Sequence, residues 1–320
     1  MLLDYSKALQ EKVLPPRKTM VKKGTLDIDI VEATPIVWKG RLMRFEWIRD
    51  KRFGSGCYAN TEGCGYYRFT DMETEEVTPP FAHNFSFGSA HVEGDTVYAF
   101  GVYGGSGGQV MSVFRSTDMI HWESREILTF PETVTVYNNS VCKGKDGYYM
   151  SIELGGDAEI VGRPFTIFFA RSKDLLFWEM LDMGDHVYTR QRYSACPVLR
   201  YCESDGLYYM IYLEGLPCHR WQPYIVRTAD FVNFELGHRN PIMFSDDNDK
   251  IVQRPEKFTQ EQLNYIIGAI DCNNSDVDLC EFNGKTVILY SWGNQYGKEF
   301  LAEAEYDGPQ EEFLRSFFAD

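Results

Sequence analysis

The sequence predicts an all-β chain: a five-bladed β-propeller of four-stranded antiparallel blades, preceded by a short N-terminal helix. Two observations predict it. A unit of strand, polar turn and returning strand recurs at a constant spacing of 56 residues, and a constant long period is the signature of a solenoid, a propeller or an array. Five hairpins, each an apolar strand, a glycine turn and an aromatic-rich strand, are spread along the chain. Closing such sheets into a ring leaves only short, protected edges.

The recurring unit is Arg115, Ser116, Asp118, Trp122 and Glu123, then Arg171, Ser172, Asp174, Trp178 and Glu179, then Arg227, Thr228, Asp230, Phe234 and Glu235. Apolar runs at 110–114, 165–170 and 224–226 precede the copies and read as strands. An Asp suits the turn because its carboxylate bonds nearby backbone amides, with Ser or Thr doing so more weakly. The aromatic four residues later anchors the returning strand. The motif is therefore expected to fasten outer strands rather than to bind a ligand. A worn copy surrounds Asp71.

In chain order, residues 5–13 read as an amphipathic helix stopped by Pro15 and Pro16, within an extension at 1–24 that packs on the rim. Residues 25–320 are expected to form a single propeller domain. The hairpins fall at 34–46, 89–100, 140–153, 196–214 and 276–292, turning at Gly40, Gly94, Gly147, Gly206 and Gly284. The tail at 300–306 is expected to pair with 25–30 and lock the ring. Residues 237–270 exceed what one connection needs; a helix near 259–265 is expected, with the segment overhanging one face.

Composition narrows the function. The 44% apolar content supplies a core, while no run approaches the ~18 apolar residues of a membrane span. The charged start lacks the apolar centre of a signal peptide, so a cytoplasmic location is expected. A net charge of −15 argues against nucleic acid, whose phosphates need clustered Lys and Arg, and leaves a neutral polyhydroxylated ligand compatible. The eight cysteines form no CxxC pair, so no zinc site is expected and most should be buried free thiols. The carboxylates Asp246, Asp247 and Asp249 lack the Gly and terminal Glu of a calcium loop and read as a solvated turn. The glycine-rich run 104–108 lacks the ending of a phosphate loop and reads as a flexible connection. No cofactor and no metal are expected.

The Ser-x-Asp-x-x-x-Trp turn and the Asp-Gly-x-Tyr-Tyr hairpin resemble those of the five-bladed β-propeller glycosidases, namely the arabinanase and β-xylosidase group of glycoside hydrolase family 43 and the related invertases. The likeness covers roughly residues 30–310. It implies a propeller fold and glycoside hydrolysis by three acids, and at those positions this chain departs. The first-blade Asp before Pro is replaced by Thr34 before Pro35, with the nearest acid at Glu32. The third-blade acid falls at Asn138, and the Glu of the invertase Glu-Cys-Pro motif is Ala195 before Cys196 and Pro197.

Strand direction offers replacements. In a blade the innermost strand leaves the pocket face and the second returns to it, so acids ending second strands meet at one rim. Glu46, Glu153 and Glu214 end such strands, and Asp276 and Asp278 share one face of the fifth blade's inner strand. His91, Asn138, Asn139, Arg192, Trp292, Asn294 and Gln295 are expected beside them, a mix in which polar groups bond hydroxyls and rings cover C–H faces of a sugar. The expected function is a glycoside hydrolase acting on a small oligosaccharide or glycoside, with a small carbohydrate as its partner. Glu32 would serve as base and Glu153 or Glu214 as acid, raised by burial, with Asp276 orienting the sugar. A phosphorylase using Arg192, or Arg44 and Arg49, to hold phosphate is an alternative; so is a sugar-binding propeller without catalysis, motivated by Asn138 and Ala195.

Overall fold

The computed structural model describes residues 18–49, 65–163, 165–218, 220–294 and 297–318. The expected helix at 5–13 and the candidate Gln295 lie outside the described residues. An initial strand β1 (Val21–Ile28) is followed by β2 (Ala33–Trp38), β3 (Arg41–Ile48) and β4 (Tyr66–Asp71). A second set comprises β5 (Phe85–Glu93), β6 (Thr96–Tyr103), β7 (Val110–Ser116) and β8 (Glu123–Thr129). The third is β9 (Val134–Lys143), β10 (Tyr148–Gly156), β11 (Thr166–Ser172) and β12 (Trp178–Met180). The fourth is β13 (Ser194–Cys202), β14 (Leu207–Leu216), β15 (Arg220–Thr228) and β16 (Phe234–Leu236). The last is β17 (Asn273–Phe282), β18 (Lys285–Gly293) and β19 (Glu299–Tyr306).

Within each set, successive strands pair antiparallel. The first strands of the sets, β2, β5, β9, β13 and β17, pack one on the next, and β17 packs back on β2, which makes them the inner wall of a ring. The architecture is a β-propeller. Strand β1 completes the last set by pairing with β19, from Val21 opposite Glu305 to Ile28 opposite Phe300. That is the expected closure, begun a few residues earlier than the sequence suggested. Among the described residues, the first blade shows no regular fourth strand: single bridges join Tyr67 to Phe81 and Thr70 to Val77. Pro79 and Pro80 lie between them, and residues without an N–H cannot continue a ladder.

The recurring turn is a fastener in all three copies. Oδ1 of Asp118, Asp174 and Asp230 accepts hydrogen bonds from the amides two and three residues on, at 2.8–2.9 Å. Met119, Leu175 and Phe231, next in sequence, take the left-handed conformation and are buried. Arg115, Arg171 and Arg227 pair with Glu123, Glu179 and Glu235 across the two strands. Asp71 caps Glu73 and Thr74 in the same way in the worn copy.

The segment between the fourth and fifth blades carries the expected helix, Gln260–Ile267, started by Thr259 in a capping box with Gln262. Its acidic run is the solvated turn that the sequence suggested at Asp246 and Asp247, but not at Asp249. Asp249 is fully buried, holds Lys22 of β1 at 2.8 Å and accepts a 2.6 Å hydrogen bond from Tyr290. The lysine of the closing strand needs a buried counter-charge, and Asp249 supplies it. Among the described residues, no helix is long and apolar enough to cross a membrane.

Candidate active site

The innermost strands begin at one mouth of the ring, and four of the five carry a bulge there. The register against the neighbouring strand slips between Ser86 and Ser89, between Val136 and Asn139, between Ala195 and Val198, and between Ser275 and Asp278. Bulges of this kind re-aim side chains and recur beside functional sites. Phe87, Cys196 and Asp276, first in three of these bulges, have φ of 48–49°, a strained conformation for residues with a Cβ.

Around the mouth stand Glu32, Thr34, Asn138, Asn139, Cys196 and Asp276. Glu153 reaches the same place from β10, because it lies opposite the third blade's bulge. Its Oε2 accepts hydrogen bonds from the Cys196 amide at 2.6 Å and from Asn138 Nδ2 at 3.1 Å. Burial nevertheless pushes the Glu153 carboxyl up to about 8, the two hydrogen bonds pulling against it and the Asp276 carboxylate adding to it. Burial, then the Asp276 carboxylate, push Glu32 up to about 8 as well, with the Arg49 guanidinium opposing. Glu32 Oε2 is buried and, among the described residues, has no hydrogen-bond partner. Asp276 Oδ2 accepts from the hydroxyls of Ser275 at 2.6 Å and Ser291 at 2.8 Å. The mouth thus gathers three carboxyl groups, and burial together with the neighbouring Asp276 pushes two of them, Glu32 and Glu153, towards the protonated form. Burial drives the thiol of Cys196 well above its usual range, so it is a poor nucleophile here.

Several expected site residues lie elsewhere. Glu214 is two residues past Tyr212, the fourth-blade residue that faces the bulge as Glu153 does in the third. It pairs with Arg192 at 3.0 Å, and Arg192 also donates to the Tyr188 hydroxyl at 2.6 Å. Glu46 is fully buried between Arg44 at 2.5 Å and Arg68 at 2.6 Å, within the sheet instead of at the mouth. Trp292 is also fully buried: its indole N–H donates to Thr25 Oγ1 at 2.9 Å and its ring stacks on Phe300 at 4.3 Å, so it seals β1 to the last blade. His91 lies towards the far end of β5, at the opposite mouth with Lys143, Arg200 and Cys280. Burial lowers its imidazole to about 4, which keeps it neutral. Asn139 lines the pocket but is engaged at both ends, donating to the Phe87 carbonyl at 2.8 Å and accepting from Ser89 Oγ at 2.7 Å; it stitches blade two to blade three. Asp278 is in an ion pair with Arg200, which also donates to the carbonyls of Leu199 and Leu279. Asp278 lines one mouth and Arg200 the other, so their pair stands between the two.

Sequence reasoning missed Cys196 as an amide donor and Arg49 as the cation opposing Glu32. It also missed the rings next in sequence to pocket residues, Phe87 before Gly88 and Tyr137 before Asn138. Their signal was present: Phe87-Gly88-Ser89 and Tyr137-Asn138-Asn139 are aligned triplets at the start of two inner strands. The arginines that a phosphorylase would turn to phosphate are already paired, Arg44 with Asp27 and Glu46, Arg49 with Glu299, and Arg192 with Glu214.

No protein-family model matches the sequence, and no curated protein matches it in sequence. Solved structures do match its fold. A glycoside hydrolase superposes with a TM-score of 0.61 at 13% identity, covering 97% of this chain and 96% of its own. The α-L-arabinofuranosidase of Podospora anserina in complex with cellotriose gives 0.59 at 8%, covering 92% and 99%. The endo-arabinase of Bacteroides thetaiotaomicron gives 0.55 at 11%, covering 92% and 100%. The ring of sheets formed by its paired strands is a fold that this chain shares with these glycoside hydrolases.

Proposed function

We propose that this chain is a glycoside hydrolase whose reacting groups are Asp276, Glu153 and Glu32. The observation that carries the reading is the meeting, at one mouth, of Glu32, Glu153 and Asp276, with burial raising the first two carboxyls. Glycoside cleavage needs one carboxylic acid to protonate the leaving oxygen and one carboxylate to activate water or attack the sugar. Glu153 is the acid: burial holds its proton, and the Cys196 amide and Asn138 fix its orientation and stabilise the anion left after the proton departs. Asp276, held by two hydroxyls, is the base or nucleophile. Glu32, first expected as the base, is protonated beside Asp276 and serves better as a second donor to a sugar hydroxyl or to Asp276. The substrate class follows the folds it shares: arabinosides, as named for two of the matching structures, together with other glycosides of neutral sugars.

The test is turnover of aryl arabinosides, aryl xylosides and arabino-oligosaccharides by the intact chain. Asp276→Asn and Glu153→Gln should each lower kcat/KM by roughly 100-fold or more, the usual size of an acid-base contribution. Undiminished turnover in both variants would refute the assignment. One observation favours a second reading, a sugar-binding propeller without catalysis: Ala195, where the resembling invertases carry their acid, is buried and carries no functional group. Saturable sugar binding in calorimetry with no product released would select it.

A further inference from the structure

We propose that a row of aromatic rings running from the carboxylate pocket across blades two to four binds further units of a sugar chain, so that the substrate is an oligosaccharide of three or more units. This rests on the reading of the mouth as a glycoside-cleaving site. Phe87 lies 5.5 Å from Tyr137, Tyr137 lies 4.8 Å from Phe165, and Phe165 lies 5.6 Å from Tyr193. Each contact is edge to face, and the four rings come from three blades. None is fully buried, unlike the core rings Phe45, Tyr67 and Phe69.

The row begins at the chemistry. Tyr137 precedes Asn138, which holds Glu153, and the Glu153 carboxylate raises the Tyr137 phenol after burial does. It ends at Tyr193, beside the partly exposed Arg192–Glu214 pair. Ser194 donates to the Phe165 carbonyl at 3.0 Å, which sets the last two rings on one rigid edge. Aromatic faces flanked by paired hydrogen-bonding groups fit a carbohydrate, whose C–H faces lie on rings while its hydroxyls find donors and acceptors. Because the flanking pair is internally neutral, the sugar units it suits are uncharged. Continuity with the pocket selects a sugar chain over an apolar peptide or lipid as occupant.

The experiment is calorimetric titration of the full chain carrying Asp276→Asn, which suppresses turnover, with arabino- and xylo-oligosaccharides of two to five units. Affinity should rise with length in at least one series. Tyr193→Ala, added to that background, should weaken the longest member roughly tenfold while leaving the two-unit sugar unchanged. Tyr193→Phe should restore the long-chain affinity, a recovery that misfolding cannot produce. Affinity that is flat with length, the absence of binding in both series, or equal loss for short and long sugars would overturn the proposal. Length-dependent binding with no cleavage by the unmodified chain would sink the hydrolase reading and leave the aromatic row standing. Cleavage without length dependence would do the reverse.

Discussion

Replacing Glu153 by Gln is expected to stabilise the fold near pH 8 and to leave it unchanged near pH 5, while abolishing the acid. Burial lifts this carboxyl from 4.5 to about 8. Between those values the folded chain holds a proton that the unfolded chain has released. The stability linked to the group is therefore complete below about 4.5 and is lost as pH rises through about 8. Each tenfold step in proton affinity is worth about 1.4 kcal/mol, which bounds the loss near pH 8 at about 4 kcal/mol. Relaxation and water entry around a buried charge reduce it, leaving ~2–4 kcal/mol. Gln has the same shape, its Oε1 can still accept from the Cys196 amide, and it carries nothing to ionise. For a chain of this size one kcal/mol moves the midpoint by roughly 2 °C, so the variant should melt ~4–8 °C above the parent near pH 8. Thermal unfolding of both chains, followed by calorimetry across that pH range, measures the difference. Glu32 titrates in the same window and sets part of the parent's slope, but it is common to both chains and drops out of the comparison. A difference that stays constant with pH, or a variant that melts lower near pH 8, would refute the argument.

Two more expectations concern stability. Asp278→Ala leaves the half-buried Arg200 beside two carbonyls without its counter-charge, and should cost about 2–3 kcal/mol in denaturant unfolding. The double change Arg200→Met with Asp278→Leu should recover most of that loss, and failure to recover would mean that the pair does more than neutralise itself. Asp174→Ala and Asp230→Ala each remove a carboxylate that caps two backbone amides, and should cost about 1–2 kcal/mol apiece. The turns belong to different blades, so the costs should add to within about 0.5 kcal/mol, with glycoside turnover unaffected; a loss of turnover would give the motif a role that its place in the outer strands does not suggest.

The architecture was legible because it is periodic: the 56-residue spacing, the five hairpins and the match between the two ends of the chain all follow from repetition. Strand direction was also enough to bring Glu153 to the mouth where Glu32 and Asp276 stand. Glu214, Glu46 and Trp292 stand away from the mouth for local reasons. A bulge moves a side chain by one place, and nothing in the residues around Ser86, Ala195 or Ser275 announces one. Glu214 was therefore credited with the place that Tyr212 holds. Trp292 and Glu46 were assigned to the rim by residue type, yet Trp292 covers the closing strand and Glu46 answers two arginines inside a sheet. The aromatic row escaped notice because its members come from separate elements and meet only in three dimensions.

The pairing of β1 with β19 imposes an order on biosynthesis. A strand made early finds its neighbour only once the final blade has been translated, so until then it and the unpaired flank of blade five remain sticky edges. Lys22, meanwhile, has no Asn274 to accept its hydrogen bond. The nascent protein is thus most exposed to aggregation just before its last blade is made, and a chaperone that shields this one strand would protect the whole ring.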